Sequence, residues 1–513
     1  MKRRDFITTI AASAGSAYAA MKALDLLDGP ATAQSTAGKG FQLQPKSGKR
    51  VIILGAGVGG MAAAYELGKA GYDCQILEAR SRAGGRCWTI RGGDQYTETD
   101  GVTQTAKFDP GLYFNPGPAR IPQEHVTLDY CRELDVAIEV KENLNRREYY
   151  YNEKGGSLSS TKVRAREAIT DIRGYISELL AKAINQSAIN APLTTEDKEK
   201  LVEFLRNYGD LNPDLFYKGS TRRGYAVYPG AGLNPGKESD PYSLSALVEL
   251  GFAGYETFDW GWDQQMTMFQ PVGGMDQIAK AFERQVGEKI SFSCEVKEIR
   301  KTPNGVRIVY TDQSGRQQEV VGDYCICTIP LPVLKSIPSD FSPEMKQAIA
   351  SVDYAKAGKS GLQFSRRFWE EDERVFGGIT WTDQDIVQIW YPSEGYLSKK
   401  GIIIGYYQFS DTKFGSLPPA QRLALALEQG SKIHPQYNST FETGTTVYWP
   451  KVPYNLGGWA NYSDDVLKNY YPRLNQPDGN IYLCGEHVSY ITGWQAGSLE
   501  SARLVTKKIN ALL

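Results

Sequence analysis

The hydrophobic pattern near the start of the chain changes its period twice within a short stretch. An apolar run, Val51–Leu54, ends in glycine and is followed by the run MAAAYELGKA at 61–70 and by a second apolar run that ends at Leu77. Short apolar runs bounded by glycine are typical of buried strands, whereas a longer run of good helix formers is typical of a helix. The pattern therefore predicts a strand, a helix and a second strand of one parallel sheet.

Later segments show other periods. Apolar residues recur every three or four positions at 163–187 and 194–211, which predicts amphipathic helices. Short strand-like runs occupy about 287–334, aromatic strands alternate with loops at 341–449, and a buried strand followed by a helix occupies 481–509. We therefore expect a mixed α/β protein in which the first sheet is assembled from separated pieces of chain.

The composition argues against three classes of protein: nucleic-acid-binding, membrane-spanning and metal-dependent proteins. The chain has 513 residues, 41% of them hydrophobic, and a formal net charge of −1, which is typical of a globular protein of several domains. It has no block of lysine and arginine that would indicate nucleic-acid binding, and no internal apolar run approaches the roughly 20 residues of a membrane span. The histidines His125, His434 and His487 lie far apart in sequence, so we expect no metal centre.

The first residues, MKRRDFITTIAASAGSAYAA, resemble a twin-arginine export signal. Arg3 and Arg4 precede Phe6 and a weakly apolar segment of small residues, and ATA at 31–33 is the expected cleavage site. Residues 1–40 are therefore interpreted as an export signal and flexible tail of a periplasmic or secreted protein. The seven cysteines lie in apolar, strand-like surroundings, which predicts free core residues rather than disulfides.

The glycines after the first strand have the spacing of a dinucleotide-binding turn. Gly55, Gly57 and Gly60 form G-x-G-x-x-G, which permits a tight turn, close approach of a pyrophosphate and close packing of the following helix. Glu78 closes the second strand, where its carboxylate can accept hydrogen bonds from both ribose hydroxyls. A carboxylate there would repel a 2′-phosphate, so NADP is disfavoured.

Two further motifs carry a resemblance to a known family. The segment RAGGR at 82–86 resembles the second glycine motif of the flavin-containing amine oxidases, and IYLCGEHVSYITGWQAGSLE at 481–500 resembles their C-terminal flavin segment. Among these enzymes the chain looks most similar to bacterial L-amino-acid oxidases. The resemblance implies FAD as cofactor. It also implies non-covalent binding, because Trp459 in PYNLGGW stands where some members carry a flavin-linked cysteine.

The resemblance implies contacts for each part of the cofactor. Glu78 and Ala79 would hold the adenosine ribose, Val296 the adenine, and Glu486 the ribityl chain. The remaining expected contacts lie in the glycine-rich turns, in the GPAR turn and at the start of the last helix: Gly55, Gly57, Val58, Gly59, Gly60, Gly84, Gly85, Arg86, Gly117, Pro118, Ala119, Arg120, Gly493, Trp494, Gln495, Ala496, Gly497 and Ser498.

The resemblance also implies a site for an amino acid. Arg120, in YFNPGPARIPQEH, matches the arginine that binds the substrate carboxylate in L-amino-acid oxidases, and Tyr391, in IWYPSEG, matches a tyrosine that assists it. An arginine presents a planar fork that suits a carboxylate, and a tyrosine adds a directional donor. These two donors favour an amino acid over a bare amine or polyamine.

Four further residues complete the implied site. Gly493 would accept a hydrogen bond from the amino group through its carbonyl, Trp494 would wall the site, and Trp459 would line the side-chain pocket. Lys359 matches the family lysine that holds a water near flavin N5, and it is the residue expected to act catalytically. His125 is a further candidate base, although a structural role at a helix start is favoured.

The implied fold is α/β, with a Rossmann-type FAD-binding domain assembled from 48–112, 262–340 and 450–513. A mixed-sheet substrate-binding domain would comprise 113–162, 241–261 and 341–449, and a helical insertion would comprise 163–240.

The implied reaction is the oxidative deamination of L-amino acids by dioxygen, with aromatic or long apolar side chains preferred. The same motifs leave open an amide-forming amino-acid monooxygenase, an amine or polyamine oxidase, and a flavin protein without turnover. We also expect a homo-oligomer.

Overall fold

The computed structural model describes residues 41–45, 48–188, 193–410 and 412–512. The expected export signal lies outside these residues and stays a prediction. Within them the protein is mixed α/β, as the hydrophobic pattern predicts.

A five-stranded parallel sheet forms the base of the molecule. Its strands, in spatial order, are Ile290–Ser291, Asp73–Leu77, Arg50–Leu54, Tyr324–Cys327 and Ile481–Leu483. The predicted strand, helix and second strand at the start of the chain are confirmed, with the helix at Val58–Lys69. Because the sheet takes its strands from both ends of the described chain, residues several hundred positions apart meet at its edge.

The central strand is buried on both faces. Val51 and Ile53 belong to a core that includes the helices Val58–Lys69, Asp276–Val286 and Gln495–Asn510. Ile52 and Leu54 point to the opposite face, where the core includes the antiparallel three-stranded sheet. The strands of that second sheet are Glu295–Thr302, Gly305–Thr311 and Gln317–Gly322. A continuous apolar run is what a strand covered on both faces requires.

A seven-stranded mixed sheet forms the second large layer. Its spatial order is Phe441–Tyr448, Gly358–Phe364, Gly401–Gln408, Gln388–Trp390, Ile379–Thr382, Tyr149–Tyr151 and Val163–Arg164. Its aromatic residues pack against the helix Pro419–Ile433. Strands alternate their side chains between two faces, so each of these strands also presents residues to the opposite side.

Two long helices follow the seventh strand. Ala165–Asn185 and Thr195–Gly209 pack against each other, and the second begins with a capping box in which Thr194 and Asp197 bond reciprocally. The predicted amphipathic helices are therefore confirmed. The proposed domain boundaries stay a prediction.

Shorter elements complete the described fold. The remaining α-helices are Val126–Glu133, Leu244–Glu249, Ala253–Glu256, Leu331–Leu334, Pro343–Ala350, Phe368–Glu371, Lys413–Ser416, Tyr437–Thr440, Asp464–Asn469 and Tyr471–Leu474. Two-stranded pairs join Ile90–Arg91 to Tyr113–Phe114, Gln95–Thr97 to Thr103–Thr105, Ile138–Glu142 to Thr267–Pro271, Tyr225–Val227 to Lys237–Glu238, and Asp353–Tyr354 to Ala460–Asn461. Short 3₁₀ turns occur at Gly156–Leu158, Thr221–Arg223, Thr257–Trp260, Gly287–Lys289, Trp449–Lys451 and Glu486–Val488.

Three features concern chemistry outside the main cavity. All seven cysteines are free and buried, as predicted. The described residues contain no cluster of histidine, cysteine and acidic side chains that could hold a metal ion. Among the described helices, none combines the length and apolarity that crossing a membrane requires.

Candidate active site

One cavity of about 490 Å³ begins at the carboxyl ends of the parallel strands and extends beneath the seven-stranded sheet. Gly55 and Glu78, which follow the first two strands, line one end, which we call the nucleotide end. Lys359, Trp390 and Tyr407, from the mixed sheet, line the other, which we call the substrate end. The carboxyl edge of a parallel sheet is where nucleotide folds place their ligands.

The first glycine turn is shaped for close approach of a ligand. Gly55 adopts a φ of +104°, and a methyl group added there would lie 2.6 Å from Oγ1 of Thr328. Gly57 lines the cavity and precedes the helix, where a methyl group would meet no atom within 4 Å. That helix has no side-chain cap, so its first N–H groups remain available to an anion.

Gly60 serves the turn in a different way from the other glycines. A methyl group added there would lie 2.1 Å from the carbonyl oxygen of Gly55, so only glycine allows the helix to pack this closely on the turn. Gly60 does not line the cavity, and its expected role as a cofactor contact is therefore corrected to a packing role. Val58 and Gly59, on the same helix turn, do line it.

Glu78 is already oriented by backbone donors. Its carboxylate accepts hydrogen bonds from the N–H of Ala56 at 2.8 Å and from the N–H of Arg80 at 2.9 Å. Glu78 and Ala79 line the cavity beside Val296, and their expected contacts with the ribose and the adenine stay predictions. A buried carboxylate held in this way keeps acceptor capacity for ligand hydroxyl groups.

The second glycine motif and the C-terminal segment meet in an ion pair. Nη1 of Arg86 lies 2.8 Å from Oε1 of Glu486 and donates to the carbonyl of Gly458 at 2.7 Å. Burial disfavours the charge of Arg86, but Glu486 raises its pKa above the ordinary value. Both side chains line the cavity together with Gly84 and Gly85, so the structure brings together motifs that lie 400 positions apart.

The last helix begins at the cavity. Gly493, Trp494, Gln495 and Ser498 line it, as predicted, and the helix Gln495–Asn510 has no side-chain cap. Two further residues of this helix start, whose backbone the resemblance expects to meet the flavin, do not line the cavity. Ala496 is 1% exposed and packs in the core behind the parallel sheet. Gly497 packs so closely that a methyl group would lie 2.2 Å from the carbonyl oxygen of Ile491.

Arg120 is a partly buried cation at the substrate end. Its guanidinium carbon lies 4.4 Å from the Trp390 ring and 5.7 Å from the Trp494 ring, and Nη1 donates to Oδ1 of Asn143 at 2.5 Å. Within the described residues, no carboxylate oxygen lies within 4.0 Å of it. Burial lowers the pKa of Arg120 to about 10, so the group gains from pairing with an anion. Gly117, Pro118 and Ala119 line the cavity on the same turn.

Lys359 is a second buried cation in the same place. The sheet pairs it opposite Tyr407, and Nζ lies 4.4 Å from that ring and donates to the carbonyl of Gly117 at 2.6 Å. Burial, together with Arg120 and Lys141, lowers the pKa of Lys359 to about 7. The predicted lysine therefore lines the cavity in a state where proton exchange near neutral pH is feasible.

The structure contradicts the expected role of Tyr391. This residue is fully buried outside the cavity lining, and its hydroxyl bonds to Nε2 of His434 at 2.6 Å and to Oγ1 of Thr380 at 2.8 Å. The preceding residue, Trp390, faces the cavity instead. Adjacent residues of an extended chain point to opposite faces, so an assignment one position away places the side chain on the wrong side.

Tyr407 is the cavity tyrosine that the sequence interpretation missed. It lines the substrate end, and its phenol and the Arg120 guanidinium lie close enough to shift each other's pKa. Tyr407 lies opposite Lys359 in the neighbouring antiparallel strand. The sequence of one strand does not show which residue of its neighbour it pairs with, so the motifs could not locate Tyr407.

Aromatic rings line the rest of the substrate end. Trp390 and Tyr407 lie 5.3 Å apart, Tyr407 and Phe409 6.0 Å, and Phe409 and Trp459 5.8 Å, as distances between ring centroids. Trp459 stands beside Gly493, where an added methyl group would lie 3.5 Å from its Cγ. Trp459 and Trp494 therefore line the cavity as predicted, while Trp390, Phe409, Trp449 and Gln264 are lining residues that the motifs did not reveal.

His125 lies outside the cavity lining. It precedes the helix Val126–Glu133, and its ring packs edge-on against Trp494 with centroids 5.2 Å apart. Burial lowers the pKa of His125 to about 4. This arrangement favours the structural role that the sequence indicates.

The residues of the nucleotide end fit a flavin nucleotide. They provide a carboxylate for a ribose, the cation of Arg86, and two helix N-termini without side-chain caps. The open space beside Gly57 gives a phosphate room next to backbone N–H groups. These groups therefore suit the parts of a flavin nucleotide: the carboxylate suits the sugar hydroxyls, and Arg86 and the helix N-termini suit negatively charged groups.

Comparison with known proteins supports the same conclusion. Residues 58–510 match the family described as flavin containing amine oxidoreductase. The chain is 25% identical over 481 residues to the L-amino-acid oxidase of Pseudechis australis, covering 90% of this chain and 87% of that protein. It is 26% identical over 485 residues to the L-amino-acid oxidase of Crotalus adamanteus, with coverage of 90% and 87%.

Solved structures show the shared fold. A putrescine oxidase variant superimposes with a TM-score of 0.60 at 17% identity, covering 91% of this chain and 100% of that chain. The cyclohexylamine oxidase of Brevibacterium oxydans IH-35A also gives a TM-score of 0.60 at 17% identity, with coverage of 90% and 99%. With its two glycine motifs and its C-terminal segment assembled around one cavity, the chain belongs to the flavin containing amine oxidoreductase family and is an oxidoreductase that uses a flavin.

Proposed function

We propose that this protein catalyses the FAD-dependent oxidation of L-amino acids. An L-amino acid, dioxygen and water would give a 2-oxo acid, ammonia and hydrogen peroxide. The observation that carries the proposal is Arg120, a partly buried guanidinium at the substrate end with no carboxylate oxygen within 4.0 Å among the described residues. A bare amine offers this cation nothing to bind, whereas the carboxylate of an amino acid does. The names of the relatives from Pseudechis australis and Crotalus adamanteus support the same substrate class.

The chain's own residues would orient the substrate. Arg120 binds the carboxylate, the Tyr407 hydroxyl adds a second donor beside it, and the Gly493 carbonyl accepts a hydrogen bond from the amino group. The bound flavin would supply the acceptor for the electrons of the substrate and would pass them to dioxygen. Three fixed contacts present one face of the substrate Cα, so orientation contributes much of the rate. Lys359 holds its proton at Nζ, where a pKa of about 7 permits exchange with bound water.

The proposed cofactor is non-covalent FAD. Trp459, which cannot form a thioether, stands where a linked cysteine would be expected. Cys87 and Cys294 line the cavity, but they do so beside the glycine motif and beside Val296, at the nucleotide end. Burial raises the pKa of the Cys87 thiol to about 12, which keeps it un-ionised and unreactive. Acid precipitation should therefore leave the flavin colour in the supernatant, and colour in the pellet would contradict the proposal.

The aromatic lining favours aromatic or long apolar side chains. The cavity residues beside Gly493 are Trp459, Phe409 and Trp494, and ring stacking contributes about 0.5–1.5 kcal/mol beyond area burial.

The proposal is tested by mixing the purified protein with a panel of L-amino acids without oxygen. Loss of the flavin absorbance with amino acids, and not with putrescine or cyclohexylamine, supports an amino-acid substrate. Bleaching by the amines alone would favour the amine oxidase alternative. Product analysis under air then separates two reactions, since a 2-oxo acid with peroxide indicates an oxidase and an amide with carbon dioxide indicates a monooxygenase.

We further propose that the protein is exported through its twin-arginine segment and forms a homo-oligomer. Arg3→Lys combined with Arg4→Lys should retain the flavoprotein in the cytoplasm, and light scattering should give a mass above that of one 56.9 kDa chain. Unchanged export or a monomeric mass would contradict the respective proposal.

A further inference from the structure

A segment rich in aromatic residues, 253–266, borders the substrate end of the cavity. It contains the short helix Ala253–Glu256 and the turn Thr257–Trp260 and leads into the strand Thr267–Pro271. The Phe258 ring lies 5.4 Å from the guanidinium carbon of Arg120 and packs against Trp381 at 5.0 Å. Gln264, near its end, lines the cavity. The segment thus contacts the site from a part of the chain that none of the flavin motifs includes.

Asp263 connects this segment to the C-terminal flavin segment. Its Oδ2 accepts a hydrogen bond from Nε1 of Trp494 at 2.7 Å, across 231 positions of sequence. This is the one hydrogen bond of the Asp263 side chain within the described residues. An indole has a single donor, so this bond satisfies the only polar atom of the Trp494 side chain. A charged acceptor also makes it stronger than a bond between neutral groups.

The bond has consequences for the surface that the substrate meets. With its indole N–H turned to Asp263, the side chain of Trp494 has no other polar atom to present to the cavity. The His125 ring packs edge-on against the same indole, 5.2 Å away, so Trp494 is held from two directions. The charge of Asp263 also raises the pKa of Arg120, which burial lowers. One carboxylate therefore acts on two residues of the proposed substrate site.

We propose that Asp263 is a positioning residue for the substrate, because its carboxylate fixes the Trp494 indole as an apolar wall and so determines how tightly the substrate side chain is held. The inference rests on the proposed function, in which the substrate is an amino acid. Without the acceptor, the indole can rotate, and the substrate must order it again on binding. Loss of the Asp263 carboxylate should therefore weaken binding of the substrate side chain and leave the flavin bound.

The experiment uses the flavin-loaded protein and an unreactive probe. 3-Phenylpropanoate carries the carboxylate and side chain of phenylalanine without the amino group, and its binding is followed by the change in flavin absorbance. The variants are Asp263→Leu, Asp263→Asn, Trp494→Phe and the double variant Asp263→Leu with Trp494→Phe. Asp259→Leu is the matched control, since the Asp259 carboxylate lies on the same segment and makes no hydrogen bond or ion pair within the described residues.

We expect Asp263→Leu to weaken probe binding about tenfold, the scale of losing a hydrogen bond to a charged group. Asp263→Asn keeps an acceptor oxygen and should weaken it less than about threefold. In the Trp494→Phe background, where no indole N–H remains, Asp263→Leu should not weaken probe binding further, because the remaining change is the loss of a negative charge that acts on Arg120, and this favours the probe carboxylate. Flavin content and the thermal midpoint should match the wild type, and Asp263→Ala replaces the leucine variant if that protein does not fold.

Three results would overturn the inference alone, and the first two concern the comparison of variants. One is an equal effect of Asp263→Leu in the wild-type background and in the Trp494→Phe background, and the other is an equal effect of Asp259→Leu; each would indicate a general structural role of the segment. If no L-amino acid bleaches the wild-type flavin, the proposed function fails and the inference fails with it. Normal bleaching with unchanged probe binding in Asp263→Leu overturns only the role of Asp263.

Discussion

The two ends of the cavity present different kinds of groups. At the nucleotide end, glycine turns and helix starts present backbone, and the charged side chains there already have partners, such as Arg86 with Glu486. At the substrate end, side chains dominate, and the cations Arg120 and Lys359 have aromatic rings and carbonyl or amide oxygens as neighbours. No carboxylate lies within 4.0 Å of either cation in the described part of the chain.

This difference predicts at which end of the cavity a single substitution has the larger effect. A ligand at the nucleotide end is bound by many groups that are oriented before it arrives, so each contributes a part. At the substrate end the two cations have no carboxylate within 4.0 Å, so they gain more of their stabilisation from the ligand itself. Single substitutions should therefore have larger and more substrate-specific effects at the substrate end.

The largest expected effect is at Arg120. Arg120→Ala should reduce kcat/KM for L-amino acids roughly 30-fold to several thousand-fold. This corresponds to about 2–5 kcal/mol of lost transition-state stabilisation, because the substrate carboxylate loses its charged partner. Steady-state kinetics measures the change, and flavin content should be retained. Arg132→Ala is the control, since that side chain is 79% exposed on a surface helix. An unchanged kcat/KM in Arg120→Ala would move the carboxylate site elsewhere.

The nucleotide end should respond through the cofactor. Glu78→Ala removes a carboxylate that accepts two backbone hydrogen bonds, and FAD affinity should fall by roughly 10- to 150-fold, or about 1.5–3 kcal/mol. Titration of the flavin-free protein with FAD, followed by fluorescence, measures it. Asp73→Ala, at the exposed start of the same strand, should leave the affinity unchanged. A changed KM for the amino acid at saturating FAD would contradict the division into two ends.

Trp459 tests selectivity within the substrate end. Trp459→Ala should shift the relative kcat/KM among L-phenylalanine, L-leucine and L-glutamine by more than about tenfold, because stacking and burial differ among these side chains. Flavin content should stay constant. A uniform loss for all three substrates would show that Trp459 supports the fold and does not select the side chain.

Lys359 should give a pH-dependent effect. Its pKa of about 7 means that the ammonium is charged below that pH and loses its proton as the pH rises through it. Reoxidation of the flavin by dioxygen develops negative charge, so Lys359→Met should slow it about tenfold at about pH 6, and the gap to the wild type should close above about pH 8. Stopped-flow measurement of both half-reactions checks this. Equal slowing of reduction and reoxidation would leave only a structural role.

The smallest expected effect separates two tyrosines. Tyr407→Phe should raise KM for L-amino acids about fivefold, the scale of one neutral hydrogen bond, because its hydroxyl lies beside Arg120. Tyr391→Phe removes bonds to His434 and Thr380 and should lower the thermal midpoint with KM within about twofold of the wild type. The reverse pattern would restore Tyr391 to the substrate site.

The same contrast explains how much the sequence could predict. Contiguous motifs such as Gly55 to Gly60 and Gly84 to Arg86 set the nucleotide end, because a backbone turn depends on local residue types. The family resemblance also located Arg120, Lys359 and Trp459. It failed at Tyr391, where one step along an extended segment exchanges the faces, and it could not reveal Tyr407, whose position depends on strand register. Gly60, Ala496 and Gly497 share motifs with cavity residues, but tight packing turns them toward the protein.

The ion pair between Arg86 and Glu486 joins two segments that the ribosome makes at different times. During synthesis the glycine turn emerges early, but the strand Ile481–Leu483, Glu486 and the helix Gln495–Asn510 follow about 400 residues later. At a typical rate of about 5–20 residues per second, that interval lasts roughly 20–80 seconds. Until it ends, the parallel sheet lacks an edge strand and the turn lacks the partner of its arginine. A chain that ends before Ile481 therefore lacks the edge strand of the sheet and the partner of Arg86, so we expect it to hold the flavin less tightly than the full chain.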